Sequence, residues 1–553
     1  MKKLPVGIQT FRQMIEEDYV YADKTECIYN LIQGGKYFFL SRPRRFGKSL
    51  LVDTMAELFS GERSLFNGLW IDRSDYDFKR YPVIRLDMTQ VNLESAKTMD
   101  DSILLQLKQT AEKESVDVMQ ENPVDFFTIL IERLREKYGE RVCVLIDEYD
   151  KPVIDFITDP ARAEKNRERL GNIYGVLKGQ DANLRFVFLT GVSKFTKLSL
   201  FSKLNNLMDL TLTDAYAGIC GFTEQEFDAL FQEHLEAYRE VSREYGRRDG
   251  DKELTEIREN IFDWYDGYTW DGRTRVFNPF SLLSFFQNNK YKAYWYSTGI
   301  PTFLMDVFKE HPQEYVDIQD KTITETLLDS HDIERAPLVS LLFQTGFLTV
   351  TNASDSAPPK YSLAFPNTEV ALSFGQMFLN AVADVPDPFS ISFVNEMSDA
   401  LDAGEPERLE APLNGLFASI PYQLHIPRES FYQSIFLAVM QFLGFRVLGE
   451  ISVAEGRIDG VLDRMNGKSY VIEFKYAKTV DREEPATNET FEDAEVRIDN
   501  LLDAGISEAF RQIERRGYAD RYAGSRREVY KVAASVCGAG HTRIKVVKHI
   551  LEK

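Results

Sequence analysis

The chain has 553 residues, of which 44% are hydrophobic and 28% are charged, so it is long enough for several domains and apolar enough to bury their cores. Its formal net charge of -21 excludes a uniformly basic surface for nucleic acid, because phosphate binding draws on Lys and Arg. Any contact with nucleic acid must therefore be confined to a local basic surface.

The most apolar stretch and the N-terminus indicate where the protein resides. The run from Phe431 to Phe445 contains polar residues and is shorter than the roughly 20 residues that a membrane-spanning helix needs. Residues 1–9 lack the apolar core of a secretory signal. We therefore expect a cytoplasmic protein without a membrane span.

The cysteines and histidines limit the kinds of metal site. The 4 cysteines form no CxxC pair, so the sequence suggests neither a disulfide framework nor a zinc ribbon. The 6 histidines show no pairing at positions i and i+4, which argues against a histidine metal site. Any metal site must use carboxylates.

The first part of the chain alternates between two hydrophobic patterns. Helical patterns such as 49–59 and 126–137 lie between short apolar runs that are typical of buried strands. This alternation predicts a parallel sheet covered by helices. The predicted strands are 37–40, 83–88, 142–146 and 185–189.

Changes of pattern suggest the domain boundaries. Thr223 and Glu226 have the spacing of a capping box, directly after Gly221, and begin a more helical region. Turn-forming residues at 352–360 mark a loop or linker. We therefore divide the chain into a first α/β domain at 1–221, a helical or winged-helix lid at 222–350, a linker with connecting helices at 351–421, and a second α/β domain at 422–553.

A candidate phosphate-binding loop follows the first predicted strand and opens a helix. Its sequence is Arg42-Pro43-Arg44-Arg45-Phe46-Gly47-Lys48-Ser49. The backbone amides of such a loop face phosphates, Lys48 would reach the β and γ oxygens, and the Ser49 hydroxyl would bind magnesium. Arg42 stands where the pattern GxxxxGK[ST] has its first glycine, so the loop entry must have a different backbone conformation.

A second motif, about a hundred residues later, supports this interpretation. The apolar strand at 142–146 ends in Asp147, which would hold the magnesium shell, and Glu148, which would polarise the attacking water. The alternative is an ordinary buried strand that ends in an acidic turn. Thr190, at the end of the next strand, would sense the γ-phosphate or serve as a cap. The predicted nucleotide-site residues are Arg45, Phe46, Gly47, Lys48, Ser49, Asp147 and Thr190, with Glu148 as the catalytic carboxylate.

Together with other segments, these motifs resemble the bacterial and archaeal AAA-ATPase-like family. That family departs from the usual first glycine in the same way as Arg42. The resemblance covers nearly the whole chain, and it implies ATP as the nucleotide and a P-loop NTPase fold of the ASCE/AAA-like type. The further segments that carry it are 4–9, 21–25, 190–195, 204–207, 264–268, 277–281 and 297–304.

A second group of carboxylates lies on a predicted hairpin near the C-terminus. Strand-like residues 457–463 and 470–475 flank a strong turn at Asn466-Gly467. Alternation places Glu473 and Lys475 on one face, and the hairpin can bring Asp459 beside them. Two carboxylates would bind magnesium there, and the lysine would activate water for phosphodiester hydrolysis. An isolated ExK pattern otherwise forms a surface salt bridge.

This hairpin resembles the PD-(D/E)XK nuclease superfamily, whose fold is the α/β fold of restriction endonucleases. The resemblance implies that Glu429, at the start of the helical pattern 431–443, is a further carboxylate near the metal. It also implies that Gln512, with Tyr518 after it, matches the glutamine motif of the next helix. Ile458 replaces the usual proline before Asp459. The site is either chemically competent or a degenerate fold kept for binding.

Two charge features bear on access to this site. Residues 511–553 hold eleven Lys or Arg against four Asp or Glu. These basic residues either bind the phosphates of a nucleic-acid backbone or form a solvated basic face. Residues 481–503 hold nine acidic against two basic residues. Our hypothesis is that this acidic segment is a flap that screens the basic surface.

The sequence thus predicts an ATP-binding switch or motor coupled to a magnesium-dependent nuclease-like domain. We expect ATP and Mg²⁺ as cofactors. We expect the C-terminal domain to bind nucleic acid, most readily DNA, and the protein to serve in a role such as defence against foreign DNA. Two other hypotheses stay open: a signalling NTPase whose inactive nuclease fold is a docking surface, and a DNA-remodelling ATPase. A homo-oligomer also stays open.

Overall fold

A computed structural model describes most of the chain as two compact units. The first comprises residues 1–303 with 322–367, and the second comprises 304–321 with 368–553. The described residues are 1–157, 159–194, 204, 206–295, 304, 322–328, 338–354, 356–383, 396–419, 439, 460–463, 468–477, 491–516, 528–537 and 543–550.

A parallel sheet forms the centre of the first unit. Its described strands follow the order β2-β3-β4-β1-β5, and each pairs in parallel with its neighbours. Every residue of β1 and β3 is buried, as expected for strands with helices on both faces. The strands are β1 (Tyr37–Ser41), β2 (Val83–Asp87), β3 (Val142–Asp147), β4 (Leu184–Gly191) and β5 (Met208–Asp209).

Helices connect these strands, and local sequence signals fix their ends. The helix Pro123–Tyr138 begins after Asn122, whose side chain accepts hydrogen bonds from two backbone amides, and ends at Gly139 in the left-handed conformation. Such signals determine where a helix begins and ends without tertiary information. The helices are Phe11–Glu16, Thr25–Gly34, Lys48–Ser60, Ala96–Lys113, Pro123–Tyr138, Lys151–Ile154 and Pro160–Gly179.

A helical region follows the sheet within the same unit. The predicted capping box is present, because Thr223 and Glu226 each bind the other's backbone amide. Strands β6 (Phe222–Thr223) and β7 (Val276–Phe277) form a short antiparallel pair beside the helices. Aromatic side chains, among them Phe227 and Phe285, fill the core. The helices are Glu224–Leu230, Gln232–Glu244, Leu254–Tyr265 and Pro279–Asn288.

A small antiparallel sheet completes the first unit. Strands β8 (Thr322–Thr324), β9 (Thr349–Ala353) and β10 (Lys360–Ala364) follow the order β8-β10-β9. Helices Glu325–Leu328 and Leu338–Thr345 precede the β9–β10 hairpin along the chain. The turn-forming residues 352–360 therefore connect two strands of one hairpin.

The second unit is built on a mixed sheet. Strands β11 (Gly460–Asp463), β12 (Lys468–Ala477), β13 (Glu528–Cys537) and β14 (Arg543–Ile550) lie in sequence order. The β12–β13 pair is parallel and the other two pairs are antiparallel. The described helices of this unit are Thr368–Ala383, 396–403, Glu410–Ser419 and Phe491–Arg516.

Helices cover both faces of this second sheet. On one face, Val471 and Ala533 pack against the helix Phe491–Arg516. On the other face, the Tyr470 hydroxyl donates to the Leu401 carbonyl oxygen, and Lys468 Nζ donates to the Asp402 carbonyl oxygen at 2.7 Å. Part of the segment expected to be a linker therefore belongs to the packing of this unit.

The predicted mixed α/β architecture is confirmed. The four strands predicted for the first sheet differ from the observed ones by at most two residues at an end; β4, for example, runs from Leu184 to Gly191. The predicted helix at 431–443 lies outside the described residues, except for Val439, as does the turn at 466–467. The domain boundaries stay predictions. None of the described helices is long and apolar enough to cross a membrane.

Candidate functional site

The segment between β1 and the helix Lys48–Ser60 turns sharply before the helix begins. Arg45 and Gly47 have positive φ angles of 71° and 88°. Gly47 adopts this left-handed conformation without steric cost because it has no Cβ, and it directly precedes the helix. The free amides at the helix N-terminus then provide a place where the helix dipole stabilises an anion.

This loop lines a cavity of about 470 Å³, which lies in the size range of small-molecule sites. The ends of β2 and β3 and residues from the N-terminal segment complete its walls. Thr190 does not line the cavity. The predicted nucleotide-site residues that do line it are Arg45, Phe46, Gly47, Lys48, Ser49, Asp147 and Glu148.

The Lys48 ammonium group is held by three acceptors. It donates to the Arg42 carbonyl oxygen at 3.0 Å and to the Pro43 carbonyl oxygen at 3.1 Å. Its third contact is an ion pair with Glu148 Oε1 at 3.1 Å. An ammonium group has three protons to donate, so all of them have protein acceptors in this conformation. An incoming anion must therefore displace at least one of these contacts.

Asp147 is buried at the end of β3, between two hydroxyl groups. Thr190 Oγ1 donates to Asp147 Oδ1 at 3.1 Å. Burial raises the pKa of Asp147, the Glu148 carboxylate raises it further, and a hydrogen bond from Ser49 opposes both effects. Thr190 thus contacts the site through Asp147.

The oxygen atoms of Ser49 and Asp147 suit a hard divalent cation. Within the described ranges, no group of three or more His, Cys, Asp and Glu residues is placed to hold a metal ion. A magnesium ion that also binds nucleotide phosphates needs only one or two protein ligands, so this hydroxyl and carboxylate fit it.

Glu148 has a positive φ of 50°, which is uncommon for a residue other than glycine. The backbone after it is fixed, because Tyr149 N donates to the Thr190 carbonyl oxygen at 2.8 Å. Such strained residues cluster at functional sites, where the surrounding structure holds them in place. The strain here aims the Glu148 side chain at the cavity and at Lys48.

Asp150 is a residue of this site that the sequence analysis missed. Its carboxylate accepts hydrogen bonds from Ser193 N and Ser193 Oγ, both at 2.7 Å. Burial raises the pKa of Asp150 to about 6, and the Glu148 charge contributes. At Gly191 a Cβ would lie 2.3 Å from Asp150 Oδ1, so this packing requires glycine. The signal was the third acidic residue of the Asp147-Glu148-Tyr149-Asp150 sequence.

The apolar wall of the cavity was also missed. Ile8, Val20 and Ala22 come from the N-terminal segment, and Phe280 and Leu283 come from the helix Pro279–Asn288. These residues are far apart along the chain, so the sequence does not show that they line one cavity. The segments 4–9, 21–25 and 277–281, which carry the resemblance to a family, were the available signal.

In the second unit, the structure brings together two of the predicted catalytic residues. Lys475 Nζ lies 3.2 Å from Glu473 Oε1, and both residues are on one face of β12, as alternation predicted. Opposite Lys475 on β13 is Ser535. Gly505, on the helix above this face, would place a Cβ 2.2 Å from Ser535 Oγ, so the helix and sheet are in close contact here.

The other predicted nuclease residues are placed less fully. Asp459 and Glu429 lie outside the described residues. In the described pairing of β11 with β12, Gly460 lies opposite Ile472. Asp459 directly precedes Gly460 in the sequence. Gln512 lies half-buried on the helix Phe491–Arg516, which covers the face of Glu473 and Lys475.

The charged segments near this site are partly structured. From Phe491 onward the acidic segment is helical, and residues 481–490 lie outside the described part of the chain. The hypothesis that this segment screens the basic surface stays a prediction. Asp503 of this helix forms an ion pair with Lys545 on β14. Acidic and basic stretches therefore already contact each other within the second unit.

Comparison with family models assigns both parts of the chain. Residues 5–201 match the model described as a predicted AAA-ATPase. Residues 427–546 match a model of the PD-(D/E)XK nuclease superfamily. The first range contains all of the predicted nucleotide-site residues, and the second contains Glu473 and Lys475.

The chain is also similar to individual proteins. It is 37% identical over 530 residues to an uncharacterized protein in the vnfD 5' region of Azotobacter chroococcum mcd 1, with 94% of each chain covered. A solved structure of the Aeropyrum pernix ORC2 protein, in ADPNP-ADP complexes, is 13% identical with a TM-score of 0.26 and covers 67% of this chain and 98% of that one. At that TM-score the likeness supports no conclusion about this chain.

Proposed function

The chain belongs to the AAA-ATPase-like family and carries a C-terminal domain of the PD-(D/E)XK nuclease superfamily, and we propose that its first unit binds and hydrolyses ATP. The observation that carries this proposal is the ion pair of Lys48 with Glu148 at the wall of a cavity that the loop also lines. A lysine for phosphates and a carboxylate for water are the two groups that this reaction needs.

Lys48 and the loop amides would bind the phosphates. The ammonium group exchanges its Glu148 contact for phosphate oxygens, while its two carbonyl acceptors keep it at the loop. Because the lysine is buried, its charge acts in a medium of low dielectric constant and is screened little. The helix N-terminus adds free amides that also favour phosphate.

Glu148 would then orient and deprotonate the attacking water. Once it is released from Lys48, its carboxylate is free to accept a proton at the cavity wall. When bound, a magnesium ion neutralises charge on the phosphates. Ser49 and Asp147 would hold that ion, and the Thr190 hydroxyl fixes the orientation of Asp147.

Phosphate release from ATP tests this proposal. We expect magnesium-dependent release by the full chain and a loss of about a hundredfold or more in Lys48→Ala. Lys79→Ala is the matched control, because Lys79 forms an exposed ion pair with Glu140 and is not part of the cavity wall. Equal rates for wild type and Lys48→Ala would remove the basis of the proposal.

We further propose that the second unit cleaves nucleic acid, with DNA as the expected substrate and defence against foreign DNA as a role. The support is the Glu473–Lys475 pair, whose two residues share one face of β12 and lie within the range that matches the PD-(D/E)XK nuclease superfamily. Glu473 would provide a carboxylate oxygen for magnesium, and Lys475 would steady the developing charge. Asp459 and Glu429 would provide the further carboxylate ligands of the magnesium ion.

Labelled DNA and RNA, each incubated with and without ATP and magnesium, test this activity. Cleavage that disappears in Glu473→Ala and Lys475→Ala but persists in Lys531→Ala supports it; Lys531 lies on the neighbouring strand and pairs with Glu514 at 3.9 Å. Cleavage by Glu473→Ala at the wild-type rate would exclude the site.

A signalling NTPase with an inactive nuclease fold is the second candidate. The observation that favours it is the complete burial of Glu473, since a buried carboxylate paired with lysine is also what a purely structural ion pair provides. Under this hypothesis neither Glu473→Ala nor Lys475→Ala changes any enzymatic activity of the chain.

A further inference from the structure

Arg42 has surroundings that are unusual for a charged side chain. It is 0% exposed and, among the described residues, forms no ion pair with a carboxylate. Burial lowers the pKa of Arg42 to about 10. Removing a charge from water without an opposite charge is costly, so a residue of this kind persists only where its contacts serve a purpose.

Neutral groups take the place of a carboxylate around the guanidinium. Nη1 donates to the Ser41 carbonyl oxygen at 2.9 Å and to the Thr211 carbonyl oxygen at 3.0 Å, and Nη2 donates to the Tyr216 carbonyl oxygen at 3.2 Å. Cζ lies 3.8 Å from the centre of the Trp270 ring. Carbonyl dipoles and the face of an aromatic ring both attract a cation.

The main chain of the same residue holds the loop lysine. Arg42 N donates to the Gly191 carbonyl oxygen at 3.2 Å, which continues the pairing of β1 with β4. The Arg42 carbonyl oxygen accepts from Lys48 Nζ at 3.0 Å, and that of Pro43 accepts at 3.1 Å. The backbone that orients Lys48 is thus attached to a side chain that is anchored at three carbonyls and a ring.

We propose that Arg42 is a positioning residue whose buried guanidinium fixes the entry of the loop and thereby places Lys48 for the phosphates of a nucleotide. The inference rests on the proposed binding of ATP by the first unit. It also accounts for the missing glycine of the common pattern. A glycine would provide backbone freedom at this position, whereas Arg42 provides an anchor.

Arg42→Gly gives the sharpest test, because it restores the common GxxxxGK[ST] pattern while removing the anchor. The probe is a fluorescent ADP analogue with magnesium, titrated into the full chain. We expect the Kd to rise by about tenfold or more, since the hydrogen bonds of a charged group are lost from the loop entry. Binding by Arg42→Gly as tight as wild type, or tighter, overturns the inference.

Two further variants decide the question if Arg42→Gly does not fold. Trp270→Phe keeps the three carbonyl contacts and removes the larger ring, and Arg42→Lys keeps the charge with fewer donors; each is expected to raise the Kd about two- to fivefold. Tyr238→Phe is the control for a general loss of stability, because Tyr238 donates to Asp249 in the helical core. An unchanged Kd in both test variants overturns the inference.

A double variant separates positioning from a merely structural role. If Arg42 acts through Lys48, then Arg42→Lys has no further effect on nucleotide affinity in the Lys48→Ala background, whereas independent effects would add. Additive losses overturn the inference. Two other results overturn both the inference and the proposed function: a wild-type chain that binds no nucleotide, and a Lys48→Ala variant that binds nucleotide like wild type. Weakened binding in Lys48→Ala with wild-type binding in Arg42→Gly overturns the role of Arg42 alone.

Discussion

The two compact units each contain a buried ion pair between lysine and glutamate, at 3.1 Å for Lys48 with Glu148 and 3.2 Å for Lys475 with Glu473. The buried partner differs. In the first unit the lysine is 3% exposed and the glutamate 18%, whereas in the second the glutamate is 0% exposed and the lysine 20%. The distance alone therefore does not describe either site.

The difference in exposure between lysine and glutamate shows which charged group of each pair the fold encloses. In the first unit, two main-chain carbonyls fix the cation, and the carboxylate is the group with access to the cavity. In the second unit the sheet and its helix enclose the carboxylate, and the lysine is the group with access to solvent. A buried charge loses far more than an exposed one when its partner is removed, so the two pairs should respond oppositely to mutation.

The largest effect is expected from Glu148→Gln, which removes the accessible carboxylate of the first pair. Phosphate release from ATP should fall by about a hundredfold or more, because the general base is lost. Nucleotide affinity should be retained or increase, since Lys48 no longer has an anionic competitor. Glu136→Gln, on an exposed helix face, is the control. A fall of less than about tenfold would show that Glu148 is not the base.

In the second pair the carboxylate is the enclosed partner, so replacing the lysine should cost more stability than neutralising the glutamate. Lys475→Met keeps the volume of the side chain but removes the ammonium group that pairs with the enclosed Glu473, whereas Glu473→Gln leaves a lysine that reaches water. We expect Lys475→Met to lower the unfolding free energy of the second unit by about 1–2 kcal/mol more than Glu473→Gln does. Chemical unfolding of both variants measures the difference. The reverse order would contradict the comparison.

Asp150 should make the stability of the first unit depend on pH. Its folded pKa, about 6, lies above its ordinary value of 3.8, so the folded state binds the proton more tightly than the unfolded state. Stability from this group is complete below pH 3.8 and is lost as the pH rises through about 6. Relative to Asp150→Asn, the wild type should gain roughly 2 kcal/mol between pH 7 and pH 4.

Thermal midpoints of the wild type and Asp150→Asn, measured across that pH range, check this expectation. Asp159→Asn serves as the control, since Asp159 caps a helix at the surface. A midpoint difference that does not change between the two pH values would contradict the burial of a charged Asp150.

The smallest effect is expected at the close contact between helix and sheet in the second unit. Gly505→Ala places a Cβ 2.2 Å from Ser535 Oγ and should cost about 0.5–1 kcal/mol, because the overpacking outweighs the better helix propensity of alanine. The double variant Gly505→Ala with Ser535→Ala should recover part of that loss. Limited proteolysis of the second unit measures both. Equal digestion of the two variants would show that Ser535 is not the cause.

The sequence predicted the strands and the groups at their ends. Lys48, Asp147 and Glu148 could be placed because each follows directly from a strand or opens a helix, and parallel strands bring such ends to one edge of a sheet. Glu473 and Lys475 could be placed on one face because side chains alternate along a strand.

Contacts that depend on tertiary packing could not be predicted in this way. The direction of the Arg42 and Pro43 carbonyls, which hold Lys48, is set by backbone angles that no residue type encodes. Ile8 and Phe280 both line the cavity although they are far apart along the chain. The same limit applies to the two ion pairs, because the sequence does not distinguish an enclosed glutamate from an accessible one.

A crystal structure of the full chain with magnesium and a non-hydrolysable ATP analogue tests the central claim most directly. We predict the triphosphate against the amides of residues 45–49, with Lys48 in contact with its oxygens and no longer paired with Glu148, and with Arg42 in its present contacts. A nucleotide bound elsewhere, or a Lys48 that still pairs with Glu148 beside the bound analogue, would contradict the account.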